Sequence, residues 1–161
     1  MPWAVVDIDG VIADVRHRLH HVQSRPKDWD AFFAAAPEDG VLPDGLERAR
    51  ELADTCDLVY LTGRPERCRT DTVDWLARHR FPAGELIMRP DTDRRPARLF
   101  KVGQVRRLAR RQDIHVVVDD DAAVVDALRA EGFPVEHAQW MPESPPQQSS
   151  LFDAQEREGR T

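Results

Sequence analysis

The sequence predicts a three-layer α/β fold with a Rossmann-like, mainly parallel sheet and a small flap insertion. Short apolar runs typical of buried strands alternate with segments of helical periodicity, and short loops join them. Parallel strands that are covered on both faces form such continuous apolar runs. The chain has 161 residues, of which 41% are hydrophobic and 32% charged, and this suits one domain with one core.

Five strands are predicted from the apolar runs, at residues 3–6, 58–61, 85–88, 114–118 and 133–138. The intervening helices are indicated by their periodicity and end signals. Asp44 is predicted to cap the first helix, and the second is expected to turn Val73, Leu76 and Ala77 inward. A third opens at Pro96, and the fourth ends at Gly132.

The domain is expected to cover residues 1–141, with residues 14–43 as a flap whose composition breaks the strand–helix pattern. Residues 142–161 are rich in Pro, Gln and Ser, so a disordered tail is predicted there. No apolar run is long enough to cross a membrane. The chain enters its first strand at once, which leaves no room for a signal peptide, and a cytoplasmic location is expected.

Polar residues follow the predicted strands at the edge where parallel α/β sheets bind their ligands. Asp7 and Asp9 follow the first strand, Thr62 the second, and Asp119 and Asp120 the fourth. Each group alone also fits a turn, an ordinary loop or the start of a helix. Their appearance at successive strand ends instead predicts one shared site.

Carboxylates that converge in one crevice repel each other or take up protons unless a cation holds them. Hard oxygen ligands of this kind select Mg²⁺. An Asp can act as a nucleophile in phosphoryl transfer, and a second carboxylate two residues away can serve as acid and base. Thr62, the backbone of Gly63 and Lys101 can supply the donors and the positive charge that a transferred phosphoryl group needs.

These segments resemble, in order, the four motifs of haloacid-dehalogenase-type (HAD) phosphatases, and the match spans residues 3 to about 141. The motifs are DIDGV at 7–11, LTGR at 61–64, Lys101, and the Asp pair at 119–120. The resemblance implies that Asp7 is the nucleophile and Asp9 the acid and base. It implies that Thr62 bonds to the phosphoryl group and that Lys101 steadies the aspartyl-phosphate. Mg²⁺ would be held by Asp7, by Asp9 through its carbonyl, and by Asp119 or Asp120. Val11 stands where Thr is usual in the family.

The chain is still more similar to the 3′-phosphatase domain of bacteriophage polynucleotide kinase-phosphatase. The similarity lies in the stretch from Arg89 through Arg95 to Lys101 and in the residues that follow Asp120. A phosphate-binding kinase loop is absent from the sequence. The resemblance implies a nucleic-acid or nucleotide phosphate as substrate, such as a polynucleotide 3′-phosphate, with Gly63, Arg64, Arg89 and Arg95 as substrate-binding candidates.

Two alternatives stay open at this point, and a third is disfavoured. A phosphatase of small metabolites would use the same catalytic groups, whereas a catalytically silent binding module would not need the Asp7 and Asp9 pair. A response-regulator receiver would carry its acceptor Asp on a later strand, which does not fit.

The segment from Arg89 to Arg111 carries nine Arg or Lys against two Asp in a chain of net charge −6. It is interpreted either as a solvated helix face or as a stripe that attracts DNA or RNA ends. In the flap, three His residues indicate a polar face rather than a zinc site. Trp29, Phe32 and Phe33 indicate packing onto the core, with base stacking as the alternative.

The tail holds a peptide, Gln148 to Phe152, that resembles the short motif with which bacterial replication and repair proteins dock on the sliding clamp. Its Leu151 and Phe152 would enter an apolar pocket of the clamp. The alternative is a tail in which these two side chains pack loosely on the domain.

Overall fold

In the computed structural model, which describes residues 1–142, 151–152 and 154–160, five parallel strands form the central sheet. The strands are β1 (Trp3–Val6), β4 (Asp57–Pro65), β5 (Glu85–Arg89), β6 (Ile114–Asp119) and β7 (Val135–His137). Their spatial order is β5–β4–β1–β6–β7. The predicted fold class is confirmed, and the five predicted runs are the five strands.

The strands of this sheet are apolar on both faces because helices cover each side. Successive side chains alternate between the faces, so Val5 and Val117 pack with Phe100 of one helical layer. Val6 and Val118 point the other way and pack with Trp75 of the opposite layer. The first layer contains α4 (Ala97–Ala109) and α5 (Ala122–Ala130). The second contains α2 (Pro43–Ala53) and α3 (Arg69–Arg78).

Two details of the predicted helices are wrong. Asp44 lies inside the first turn of α2, whose N-cap is Leu42, because Pro43 occupies the first helical position that proline favours. In α3, Val73 is 47% exposed, whereas Thr72 and Trp75 are buried. The indole of Trp75 donates a hydrogen bond to the Asp39 carbonyl, so the largest side chain decides which face of the helix turns inward.

Residues 14–43 leave and rejoin the domain through a small antiparallel pair, β2 (Ala13–Asp14) with β3 (Gly40–Val41). Between these strands lie two 3₁₀ helices, Arg16–Val22 and Ala36–Glu38, and helix α1 (Trp29–Ala34). Trp29, Phe32 and Phe33 are buried in the core cluster. The structure therefore favours packing over base stacking for these rings.

The predicted disordered tail is wrong for the part that the structure describes. Leu151 and Ala154 are fully buried against the core, and a short π-helical turn covers Ala154–Glu158. The apolar contacts of these two side chains bury them, although the average composition of the tail is polar. Gln148, Ser149 and Ser150 lie outside the described residues, but clamp docking also needs an accessible Leu151, and this side chain is not accessible here.

None of the helices in the described part of the chain has the length and apolar character needed to cross a membrane.

Candidate active site

The ends of β1 and β6 bring the catalytic candidates together around one lysine. The Lys101 Nζ atom, from the second turn of α4, lies 3.0 Å from Asp7 Oδ1 and 2.6 Å from Asp119 Oδ2. All three side chains are buried. Burial alone would lower the Lys101 pKa, but the carboxylates of Asp119 and Asp7 outweigh it and raise that pKa. The lysine is therefore a fixed positive charge beside the proposed nucleophile.

Three of the carboxylates form a cluster that could hold a cation. One oxygen each from Asp7, Asp119 and Asp120 lies within 4.8 Å of the others. Both carboxylate oxygens of Asp120 are buried and have no hydrogen-bond partner among the described residues. Such orphaned acceptors are costly unless a ligand meets them, and an all-oxygen set suits Mg²⁺. The residues present therefore fit the expected cation.

The pKa values of the clustered carboxyl groups also favour a bound cation. Burial and the neighbouring Asp119 raise the pKa of Asp7 to about 7 although Lys101 opposes the shift. Burial and the charges of Asp7 and Asp119 raise the pKa of Asp120 well above its usual value. A bound divalent cation would remove this penalty by giving the ionised forms a partner.

The Gly10 position of the first motif is explained by Asp120. Gly10 has a φ of +82°, and a Cβ atom there would lie 2.0 Å from Asp120 Oδ2. Only glycine gives both the left-handed backbone and the close approach of the carboxylate. The backbone after β1 thus seats a residue of the metal cluster that comes from β6.

Asp9 lies in a different environment from Asp7, although only two residues separate them. Its Oδ1 accepts hydrogen bonds from the guanidinium groups of Arg64, at 2.7 and 3.0 Å, and of Arg18, at 3.1 Å. Both arginines also bind the buried Asp39. The Asp9 carboxylate is therefore outside the three-residue metal cluster, and two cations fix its orientation.

Arg64 is predicted to bind substrate, and in the structure its guanidinium group lies inside this network. Arg64 is 1% exposed, and its guanidinium is bound by Asp9, Asp39 and Thr72. Burial disfavours the charged guanidinium, yet Asp9 and Asp39 raise its pKa. The structure thus places Arg64 as a support for Asp9, and the substrate contact of Arg64 stays a prediction.

The remaining predicted site residues lie near β4 and β5. The buried Thr62 accepts a hydrogen bond from the Arg64 amide, and Arg89 donates to the carbonyl groups of Gly63 and Arg95. Arg89 is also buried, whereas the Arg95 side chain is 57% exposed and pairs with Asp93. Arg89 therefore braces the loop after β5, and Arg95 lies on its surface.

Asp121, the third of the consecutive Asp residues, caps α5. Its Oδ1 accepts a hydrogen bond from the Ala123 amide. Burial, with the nearby Asp119, raises its pKa to about 6. The helix-start interpretation thus applies to Asp121, while Asp119 and Asp120 face the cluster.

Sequence reasoning missed Arg18 and Asp39, which complete the support of Asp9. Both come from the flap. Arg18 stands at helical spacing from Val15, Leu19 and Val22, which are buried with it, so this apolar face was the signal that could have found it. Asp39 has no such signal.

The basic stripe is not one surface. Arg111 pairs with Glu85 at the start of β5 and lies over the ring of Trp3 at the start of β1. Arg106 pairs with Glu131 just after α5. These arginines therefore lie at the edge of the sheet opposite the site. The single-stripe interpretation is wrong because α4 runs antiparallel to the strands and carries its two ends to opposite edges.

The comparison with protein families agrees with this site. A family model described as the polynucleotide kinase PNKP phosphatase domain matches residues 2–139. The chain belongs to this family. The predicted HAD relationship and the enzyme class, phosphatase, are thereby confirmed for this PNKP-type phosphatase domain. No curated protein matches its sequence.

Solved structures share the fold of the PNKP-type domain. The structure of a Pnkp1/Rnl/Hen1 complex matches with a TM-score of 0.72 and 18% identity, over 89% of this chain and 48% of that one. The chain thus spans about half the length of that relative. The Class C acid phosphatase from Bacillus anthracis, with tungstate bound, matches with a TM-score of 0.63 and 14% identity, over 94% of this chain and 78% of the other.

Proposed function

We propose that this domain is a Mg²⁺-dependent phosphomonoesterase that forms an aspartyl-phosphate on Asp7, with a polynucleotide 3′-phosphate as substrate. The observation that carries the proposal is the separation of two neighbouring carboxylates. Asp7 lies against Lys101 and the metal cluster, whereas Asp9 is held apart by Arg64 and Arg18. One carboxylate is placed to attack and the other to move a proton.

In the first step, an Asp7 carboxylate oxygen attacks phosphorus and the bond from phosphorus to the leaving oxygen breaks. Asp9 gives its proton to that oxygen, so the alcohol leaves neutral. The phosphoryl group stays on Asp7 as an acyl phosphate.

In the second step, Asp9 takes a proton from a water molecule as the water attacks phosphorus. The bond between phosphorus and the Asp7 oxygen breaks, which releases inorganic phosphate and restores both carboxyl groups. Arg64 and Arg18 keep the Asp9 carboxylate in one orientation through both transfers.

Three other groups serve the transferred phosphoryl group. Lys101 neutralises charge beside Asp7, and Thr62 with the backbone of Gly63 borders the same crevice. When bound by Asp7, Asp119 and Asp120, with the Asp9 carbonyl as a further predicted ligand, Mg²⁺ supplies charge that screens carboxylate and phosphate from each other.

The substrate assignment is supported by the family and by the charge at the strand-end edge of the sheet. The family is that of polynucleotide kinase phosphatase domains, and one similar structure is that of an RNA repair complex. Arg94, Arg95 and Arg98 follow β5 at this edge, and Lys27 comes from the flap. We therefore propose DNA or RNA ends as the partners, nucleic-acid repair as the role and the cytoplasm as the place of action.

A panel of substrates tests this assignment. It compares oligonucleotides that carry a 3′- or a 5′-phosphate with mononucleotides and a small aryl phosphate. We expect the highest kcat/KM for the 3′-phosphorylated oligonucleotide. Higher kcat/KM for mononucleotides or sugar phosphates would overturn the substrate and favour the small-metabolite alternative. The absence of hydrolysis of every phosphomonoester would overturn the catalytic proposal.

A further inference from the structure

The C-terminal segment, by which we mean the described residues 151–152 and 154–160, packs back onto the strand-end edge of the domain. Leu151 and Ala154 are fully buried in the core cluster. Phe152 lines a cavity of about 180 Å³ together with Gly10 and Asp120. The segment therefore starts beside the metal cluster.

From there the segment places two carboxylates on basic residues of α4 and of the flap, the two elements that also contribute Lys101 and Arg18 to the site. Glu156 lies 3.3 Å from Arg98, which precedes Lys101 by one helical turn. Glu158 pairs with Lys27 of the flap. The segment thus bridges the two sides of the crevice, α4 and the flap.

The last described residues continue across the same edge. A Cβ atom on Gly159 would lie 2.2 Å from the carbonyl oxygen of Arg94, so this backbone lies directly on the loop after β5. The Arg160 guanidinium lies over the ring of Trp29, 5.7 Å from its centroid. The segment therefore covers basic groups of the kind that bind nucleic-acid backbones.

The two catalytic carboxylates lie deep in the site. Asp7 is 4% exposed and Asp9 is 2% exposed. A small phosphate ester needs only the crevice itself, whereas a polynucleotide carries further nucleotides that must lie on the surface beside the crevice.

The docked segment leaves two buried oxygen atoms without hydrogen bonds to the described residues. Gln155 Oε1 and Glu156 Oε1 are buried and have no hydrogen-bond partner among the described residues. Unmet acceptors weaken the docked state. A polyanion that offers its own phosphates to Arg98 and Lys27 would therefore displace the segment readily.

We propose that the C-terminal segment occupies the track of the substrate strand, so that a polynucleotide must displace it to reach Asp7. Glu156 and Glu158 occupy two cations, Arg98 and Lys27, that backbone phosphates would otherwise bind. The segment, whose described residues include two Glu and two Arg, is a competing occupant that raises the KM for polynucleotides and leaves a small phosphate ester unaffected. This inference rests on the proposed polynucleotide substrate.

The test compares full-length variants on two substrates, a 3′-phosphorylated oligonucleotide and a small aryl phosphate. In the double variant Glu156→Gln, Glu158→Gln, the two ion pairs are lost but Leu151 still anchors the segment. We expect the oligonucleotide KM to fall about 3- to 10-fold, the range that two partly exposed ion pairs support. The kcat/KM for the aryl phosphate should stay within about twofold, since the variants leave the catalytic groups intact.

Salt dependence gives a second readout. In the wild-type protein Arg98 and Lys27 are already paired with the two Glu residues of the segment, so oligonucleotide binding releases fewer counterions. The slope of log KM against log salt concentration should therefore be steeper in the double variant by roughly 1.4–1.8, the value expected for two further counterions. Glu85→Gln with Glu131→Gln is the matched control, because it breaks two Glu–Arg pairs at the opposite edge. It should change neither readout.

Gly159→Ala tests the docking without a change of charge. The added methyl group meets the backbone of the loop after β5, so it should loosen the segment and also lower the oligonucleotide KM. An unchanged oligonucleotide KM in both the Gln variant and Gly159→Ala would overturn the competition alone. If no variant hydrolyses the oligonucleotide while aryl phosphate turnover is intact, the proposed substrate is wrong, and the competition with it.

Discussion

At the scale of single residues, the site depends on two carboxylates with different partners. Asp7 shares Lys101 with Asp119 and has a pKa raised to about 7 by burial and by Asp119. Asp9 is bound by two buried arginines. The sequence spacing brings these carboxylates to one loop, but only their surroundings separate a nucleophile from a proton carrier.

Replacement of Arg64 with Lys tests the support of Asp9. Lysine keeps the charge but loses the fork that binds Asp9 and Asp39 together. We expect kcat to fall by about 10²-fold, the lower range for lost acid–base catalysis. The Mg²⁺ concentration for half-maximal activity should not change, because the metal cluster is untouched. Arg69→Lys, which loses an exposed fork to Glu66, is the control and should keep its kcat. Equal losses in both variants would contradict a specific role for Arg64.

Replacement of Gly10 with Ala tests the seat of Asp120. The new methyl group would overlap Asp120 Oδ2, so we expect a rise in the Mg²⁺ concentration needed for activity of about tenfold or more, as for groups that orient ligands. Gly132→Ala separates the overlap with Asp120 from the backbone strain that any residue other than glycine would have at a positive φ. Gly132 also has a positive φ, of +88°, but a Cβ atom there would meet no described atom within 4 Å beyond its chain neighbours, so backbone strain acts alone. A similar Mg²⁺ requirement in both variants would contradict the explanation.

The metal cluster also predicts how stability depends on pH. In the metal-free protein the Asp7 pKa rises from 3.8 to about 7, and that of Asp120 rises as well. Their protonated forms contribute stability that is fully present below the unfolded pKa and is lost as the pH rises through the folded value. The melting temperature in EDTA should therefore fall between pH 4 and pH 8.

Added Mg²⁺ should restore the lost stability at pH 8 more than at pH 5. We expect a difference of at least ~3 °C between the two Mg²⁺-induced shifts, which corresponds to about 1 kcal/mol for a domain of this size. Asp120→Asn should weaken the shift because a neutral amide needs no cation. Thermal melts with EDTA and with Mg²⁺ measure this. Shifts of equal size at both pH values would show that these carboxyls do not govern metal binding.

At the scale of the elements, helix α4 decides which basic residues can serve the site. Its start carries Arg98 and Lys101 to the strand-end edge, and its end carries Arg106 to the opposite edge. Residues close in sequence are thus separated by the length of the helix, about 1.5 Å per residue. Net charge along a segment does not define a surface unless the direction of the helix is known.

Charge reversal at the two ends of α4 tests this division. Arg94→Glu with Arg95→Glu, in the loop before the helix, should raise the oligonucleotide KM about tenfold at low salt and flatten its salt dependence. Arg107→Glu with Arg110→Glu, at the far end, has the same change of charge and should have little effect. Steady-state kinetics over a range of salt concentrations measures both. Equal effects would indicate that overall charge, rather than position, governs substrate binding.

At the scale of the whole molecule, the apolar runs predicted the sheet, because buried parallel strands need continuous apolar residues. They also predicted that Asp7 and Asp119 would meet at the strand ends, while the place of Lys101 beside them was implied by the resemblance to the HAD motifs. The support of Asp9 was not predicted, since a charged residue such as Arg18 is not expected on a buried apolar face and Asp39 lies in a part of the flap without periodicity. The docking of Leu151 was hidden for a related reason: two buried side chains anchor a segment whose average composition is polar.

The most direct test of the proposed mechanism is to trap the covalent intermediate. The enzyme is mixed with Mg²⁺ and a 3′-phosphorylated oligonucleotide, quenched in acid during turnover, digested, and analysed by mass spectrometry. We predict one phosphoryl group on the peptide that contains Asp7, and neither modification nor turnover in Asp7→Asn, which keeps the shape of the side chain but removes the nucleophile. Turnover by Asp7→Asn above about a tenth of the wild-type rate, less than the loss of a nucleophile should cause, would contradict the mechanism. So would a phosphoryl group on a different residue.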